Sequence, residues 1–227
     1  YNADGGAMRK KWFFFLVLFL FILSGCGKKK EIVQSDTLSD FAEKIDKDKD
    51  YIYFEDVKKM FLNSGEEYLI QYPIVNLSSK ESNSVNLELK SIVNKNYRTL
   101  KIENDRIQSG NLLFYEFFES DKYLSLVQSK KYYLNNAFFS DDIETYVFDK
   151  KNGSLLNKEQ ILQVFNYDST SFLNKVSQLL DGDDASYTLM MIKQNDYSLY
   201  VKENRLVLVY YETDDEHDAK KEMVIVD

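Results

Sequence analysis

The sequence predicts an α+β domain, mainly antiparallel sheet with two or three packed helices and room for two small lobes. Three observations carry this. The chain holds 17 Tyr and 16 Phe but a single Pro, and aromatic side chains fit pleated, half-buried surfaces. Its 227 residues, 44% hydrophobic and 29% charged, suffice for a core without disulfide staples. Strand-like runs cluster around two helical segments without the regular strand–helix alternation of a parallel sheet.

The elements follow in order. Tyr68 to Val75 is apolar-rich and contains Pro73, so it reads as a strand that opens the domain, near a sheet edge. Ser82 to Tyr97 places Val85, Leu89, Ile92 and Val93 at helical spacing. Leu112 to Phe118, Tyr123 to Tyr133 and Ile143 to Phe148 read as three strands, and Asn152-Gly153 is the strongest turn signal in the chain. Asn157 with Gln160 three residues on is a capping box for a helix running towards Phe165. Ser169 to Leu180 reads as a further helix, with Phe172, Val176, Leu179 and Leu180 on one face, and Asp181-Gly182-Asp183-Asp184 marks a turn. Tyr187 to Ile192, Tyr197 to Val201, Leu206 to Tyr211 and Glu222 to Val226 are expected as strands, with a hairpin loop at Lys202 to Arg205. The lobes, if separate, are 51–134 and 135–227.

The N-terminus reads as an export signal. From Met8 the order is Arg9, Lys10, Lys11, an apolar run from Trp12 to Leu23, then Ser24-Gly25-Cys26. Such a run extends about 18 Å as a helix, against a bilayer core of about 30 Å, too short for a stable span. Leu23-Ser24-Gly25-Cys26 resembles the bacterial lipobox, whose cysteine receives diacylglycerol and becomes the first mature residue. This also explains the one cysteine in the chain. Residues 1–7 stand upstream of the natural start, 8–25 form the signal, 26–50 a polar tether, and 51–227 the folded part. The expected location is extracytoplasmic, with the chain lipid-anchored to the cell membrane through Cys26.

Loss of the residues before Cys26 removes Arg9, Lys10, Lys11 and Asp4, leaving 26 cationic and 36 anionic side chains, a net charge of −10. That surface disfavours nucleic acid and suits a cationic partner. Asp46, Asp48 and Asp50 mimic the start of a calcium loop, but Tyr51 stands where Gly is needed and Val57 where a bidentate Glu is needed. The run Asp214-Asp215-Glu216-His217-Asp218 reads as an exposed acidic loop. No nucleophile elbow or glycine-rich phosphate loop is present, so no catalytic residue, metal or cofactor is assigned. Tyr132, Tyr133, Tyr210 and Tyr211, alternating across strands, are the candidate ligand-binding anchors.

Several of these segments together carry a family resemblance. They are Asp48-Lys49-Asp50-Tyr51-Ile52-Tyr53, Tyr72-Pro73, Asn86, Tyr146-Val147-Phe148-Asp149, Asn152-Gly153 and Leu155 to Ile161, with the hairpin Tyr197 to Tyr211 and Met223 to Val226. From Asp48 to Val226 the chain resembles the RsiV-like extracytoplasmic domains, found at the outer end of lysozyme-sensing anti-sigma factors and ahead of the catalytic domain of peptidoglycan deacetylases. Asn136-Ala137-Phe138 stands where the family often has Gly-Ala-His, and the loop after Tyr211 lacks the usual Pro. The resemblance implies a stand-alone, non-catalytic copy of the module that binds an extracytoplasmic protein or a cell-wall component, with a lysozyme-like muramidase as first candidate ligand. A cell-wall enzyme or enzyme accessory, or a structural envelope lipoprotein, is the alternative expectation.

Overall fold

Leu124 and Leu126 point to one face of their strand and Ser125 and Val127 to the other, and all four are buried. A strand covered on both faces must sit in the middle of a layered molecule. The computed structural model describes residues 46, 48–61, 67–103, 106–135, 137–180, 185–194, 196–213 and 218–225. In chain order these form β1 (Ile52–Phe61), β2 (Glu67–Val75), α1 (Lys80–Thr99), β3 (Lys101–Glu103), β4 (Arg106–Glu119), β5 (Tyr123–Leu134), β6 (Ala137–Asp149), β7 (Leu155–Leu156), α2 (Lys158–Val164), α3 (Ser169–Leu179), α4 (Ala185–Lys193), β8 (Ser198–Lys202), β9 (Arg205–Thr213) and β10 (Asp218–Val224). The fold is α+β.

All strand pairs are antiparallel. A five-stranded sheet has the order β3-β4-β5-β6-β7, a three-stranded sheet β10-β9-β8, and β1 pairs with β2 alone. One face of the five-stranded sheet packs Leu124, Leu126, Tyr146 and Phe148 against Ile52, Val75, Val85 and Leu89 from β1, β2 and α1, and against Leu77 from the loop between β2 and α1. The opposite face turns Val127, Ile143 and Val147 into the larger core, with Tyr200, Val207 and Leu208 from the smaller sheet and Ile161, Phe172, Val176 and Ile192 from the later helices. Each such fully buried aliphatic side chain contributes about 1.5–3 kcal/mol relative to exposure.

Polar contacts set how α1 lies on the sheet. Ser79 caps it, its hydroxyl accepting from Ser82 N at 3.0 Å. Asn86, wholly buried, accepts from Val75 N at 2.7 Å and donates to Val75 O at 3.0 Å, satisfying the end of β2 in both senses. Gly153, at φ +73°, brings the turn after β6 against the same cap, and Ser79 Oγ donates to its carbonyl at 2.7 Å. The predicted capping box at Asn157 is present on α2, and a second one joins Asp168 to Ser171 on α3.

Four expectations need correction. Residues Tyr187 to Ile192 are helical, within α4, not a strand: the run Leu189-Met190-Met191-Ile192 lacks alternation, and Thr188 and Ile192, one turn apart, are its buried face. Tyr68 to Val75 does not open the domain, because β1 precedes it; a register shift between Asp56 and Lys58 breaks the alternation that signals a strand. Leu179 is exposed at the end of α3 rather than on its buried face. Residues 46 and 48–50 are docked, because Asn76 Nδ2 donates to the carbonyls of Asp46, Lys49 and Asp50. The dividing point 134/135 falls at the β5–β6 turn, within the five-stranded sheet. The signal and lipobox (Leu23, Ser24, Gly25, Cys26), the tether to residue 45, the turn Asp181 to Asp184 and the loop Asp214 to His217 lie outside the described residues.

Candidate functional site

Antiparallel register decides which side chains meet. Tyr115 on β4 stands opposite Gln128 on β5, and Gln128 stands opposite Glu144 on β6. The three form one row across the sheet, on the face covered by α1, and Tyr146 follows two residues after Glu144. From α1, Glu88 borders the buried stripe of Val85 and Leu89. Glu88, Glu144 and Tyr146 line a cavity of about 430 Å³. Thr145, Asn157, Lys158 and Ser198 add polar groups to its wall, and Ile143, Leu156, Ile161 and Leu199 its apolar part.

Glu144 is the hub of this row. Its Oε2 accepts from Tyr146 Oη at 3.0 Å and from Gln128 Nε2 at 3.3 Å. Gln128 is 2% exposed, and its Oε1 has no hydrogen-bond donor among the described residues. The buried hydroxyl of Tyr115 likewise has no partner among them. Native interiors leave few such groups unpaired.

The electrostatics are one-sided. Burial, then the charge of Glu144, raises the Glu88 carboxyl above its ordinary value. Burial and then the same charge push the phenols of Tyr115 and Tyr146 well above the usual tyrosine range. Among the described residues no Lys or Arg lies within ion-pair distance of Glu88 or Glu144. Lys158 lines the cavity, but its ammonium lies over the Tyr197 ring, 4.3 Å from the centroid. Burial lowers its pKa, against the opposing pull of Asp196. The cavity wall therefore brings together two carboxylates, the Tyr146 phenol and the side chains of Thr145, Asn157, Lys158 and Ser198.

Two other hollows are less demanding. A groove of about 600 Å³ includes Tyr51, Asp50, Phe117 and Glu119. Its edge is already neutralised, since Lys150 pairs with Glu119 at 2.6 Å and covers the Tyr51 ring at 4.4 Å. A smaller cavity of about 160 Å³ lies between Phe54, Val93, Asn96 and Tyr115. No group of three or more His, Cys, Asp or Glu side chains that would hold a metal ion occurs among the described residues.

The four tyrosine anchors expected from the sequence are not brought together here. Tyr210 is buried in the larger core and Tyr211 packs against it, so β9 spends both rings on stability. Tyr132 and Tyr133 are half-buried on β5, at a register shift, and Tyr133 meets Phe138 edge-on at 6.1 Å. Glu88, Gln128 and Glu144 carried no motif; with 37 acids in the chain, only strand register could single out a pair.

No model of a known protein family matches the chain, and no curated protein matches it. Among the described residues no helix is long and apolar enough to cross a membrane.

Proposed function

We propose that the chain is a non-catalytic bacterial lipoprotein, anchored by lipid on Cys26, whose folded part binds a basic extracytoplasmic protein. The first candidate is a lysozyme-like muramidase. The carrying observation is the Glu88–Glu144 cavity, where two carboxylates stand without a cationic partner among the described residues. The net charge of −10 left after loss of the residues before Cys26 adds a field of the same sign. The export reading rests on the order of cations, apolar run and Ser24-Gly25-Cys26. The muramidase rests on the resemblance to RsiV-like domains, and its cationic surface is the complement such a site requires.

The test is a titration of the full chain, in neutral detergent, with lysozyme at several salt concentrations. Saturable binding at low ionic strength that weakens with salt is the expected result. Absence of binding at low salt removes lysozyme. Mass spectrometry of the chain from a lipid-attaching host is expected to find a diacylglycerol-modified Cys26 at the N-terminus; an intact leader with a free thiol ends the lipoprotein reading.

One observation favours a second reading, a cell-wall hydrolase. The Glu88 carboxyl, raised by burial and then by the charge of Glu144, shares a cavity with that second carboxyl, and two carboxyls in one cavity are the residue types used in glycoside hydrolysis. Zymography on peptidoglycan separates the two, with clearing that disappears in Glu88→Gln supporting the enzyme.

A further inference from the structure

The buried stripe of α1 runs through Val85, Leu89 and Val93 and ends on an amide, Asn96, where helical spacing calls for another apolar side chain. Asn96 is 8% exposed, and its Oδ1 accepts from Asn111 Nδ2 on β4 at 3.2 Å. Its Nδ2 has no acceptor among the described residues. On β4, Asn111, Leu113 and Tyr115 alternate onto one side of the strand. The buried Tyr115 hydroxyl is also without a partner among the described residues. All four line one hollow of about 160 Å³, and Phe54 of β1, Ile70 of β2 and Val93 add to its apolar wall. Phe54, 41% exposed, reaches solvent, and its ring lies 6.3 Å from that of Tyr115.

The wall restricts what fits. None of the residues lining the hollow is charged, in a chain of which 29% is charged, so an ion entering it would lose hydration without a counter-charge. An apolar cavity of about 150 Å³ is large enough for a benzene ring. An amide nitrogen only donates, so the ligand must bring an acceptor. Water alone would satisfy Asn96 Nδ2 but leave the apolar wall wet. A purely apolar ligand would cover the wall and leave the nitrogen unpaired. A carbonyl group on a compact apolar body meets both demands.

We propose that the hollow between α1, β1, β2 and β4 binds a small uncharged carbonyl compound, an amide or ketone whose apolar body is the size of a benzene ring. Asn96 Nδ2 donates to the carbonyl oxygen, the Tyr115 hydroxyl supplies a second polar contact, and Phe54, Ile70 and Val93 cover the body. The hollow shares no lining residue with the Glu88–Glu144 cavity. It therefore goes beyond the reading above and does not depend on a basic partner.

The test is a titration of the full chain, in neutral detergent, with benzamide, followed by NMR at the methyl resonances of Val93 and Leu113. Saturable shifts are expected with benzamide and none with benzoate or benzylammonium, which keep the ring and add a charge. No saturable shift with benzamide leaves the hollow to water and overturns the proposal, as do equal saturable shifts with benzoate. Asn96→Ala is expected to weaken benzamide binding by roughly threefold to tenfold. Because that change also takes the acceptor from Asn111, Tyr115→Phe is measured beside it. The latter keeps the ring and breaks no hydrogen bond among the described residues, and a loss of similar size is expected. Unchanged benzamide affinity in either variant overturns the assignment.

Discussion

Tyr115 carries a hydroxyl that no described residue satisfies, and an unpaired buried polar group costs about 1–3 kcal/mol. Deleting it should therefore not weaken the fold. Tyr115→Phe is expected to leave stability unchanged or raise it by about 1 kcal/mol in urea unfolding. Affinity for lysozyme is expected to be unchanged, because Tyr115 does not line the Glu88–Glu144 cavity. A fall in both stability and affinity would make Tyr115 a structural residue instead. Glu88 gives the pH counterpart. Its carboxyl is raised by burial first and by Glu144 second, so the folded chain holds this proton more tightly than the unfolded chain does. The contribution of Glu88 to stability then falls as pH rises from the ordinary carboxylate value through the raised one, opposite in sign to a salt-bridged acid. Binding runs the other way, because only the ionised form attracts a cation. A lysozyme stays cationic throughout this range, since Lys and Arg titrate above about pH 10. Affinity is expected to drop as pH falls, beginning above the ordinary carboxylate range. In Glu144→Gln, where the neighbouring charge is gone, the Glu88 midpoint should move down; a pH profile common to both forms would refute the coupling.

At the scale of elements, the joint between the β6 turn and the start of α1 is the most constrained contact. Gly153 has φ +73°, and a Cβ there would stand 2.6 Å from Ser79 Cβ, within the cap of α1. Gly153→Ala therefore combines left-handed strain with a clash that displaces the cap. A loss of about 2–3 kcal/mol in unfolding free energy is expected, and an unchanged urea midpoint would mean the turn moves freely from the helix. This joint was half legible in the sequence. Asn152-Gly153 announced a turn and Asn157 with Gln160 announced a cap, because each signal is complete within four residues. The partner of Gly153, Ser79, lies 74 residues away, and no local pattern records it. The same distinction explains the errors. The α4 run Leu189 to Ile192 suits helix or strand equally when isolated, and its burial of Thr188 and Ile192 decides for helix. Strand β1 was hidden by Glu55, Asp56, Lys58 and Lys59 and by its irregular register. The cleft was the least legible of all. Tyr115, Gln128 and Glu144 share a row only through two hairpin registers, and Glu88 joins them only once α1 is laid on the sheet.

For the whole molecule, long-range attraction and local docking make different kinetic demands. The net charge of −10 from Cys26 onward acts on a basic partner before contact, and this steering is screened beyond about 10 Å at 0.1 M ionic strength. The cleft acts only after contact, where bridging charges are partly withdrawn from solvent and less screened. The two contributions therefore belong to different rate constants. Raising salt from about 0.02 to 0.2 M is expected to lower the association rate with lysozyme by roughly tenfold or more, with a smaller change in dissociation. Glu144→Gln removes one charge among many, so its association rate should change by less than about twofold, while dissociation accelerates by roughly tenfold. Stopped-flow or surface-based kinetics on wild type, Glu144→Gln and Glu103→Gln, which removes an equal charge from exposed β3, at both salt concentrations separates these effects. If Glu144→Gln instead slows association and leaves dissociation untouched, its carboxylate contributes only to the general field, and the bound partner does not occupy the space between α1 and β6.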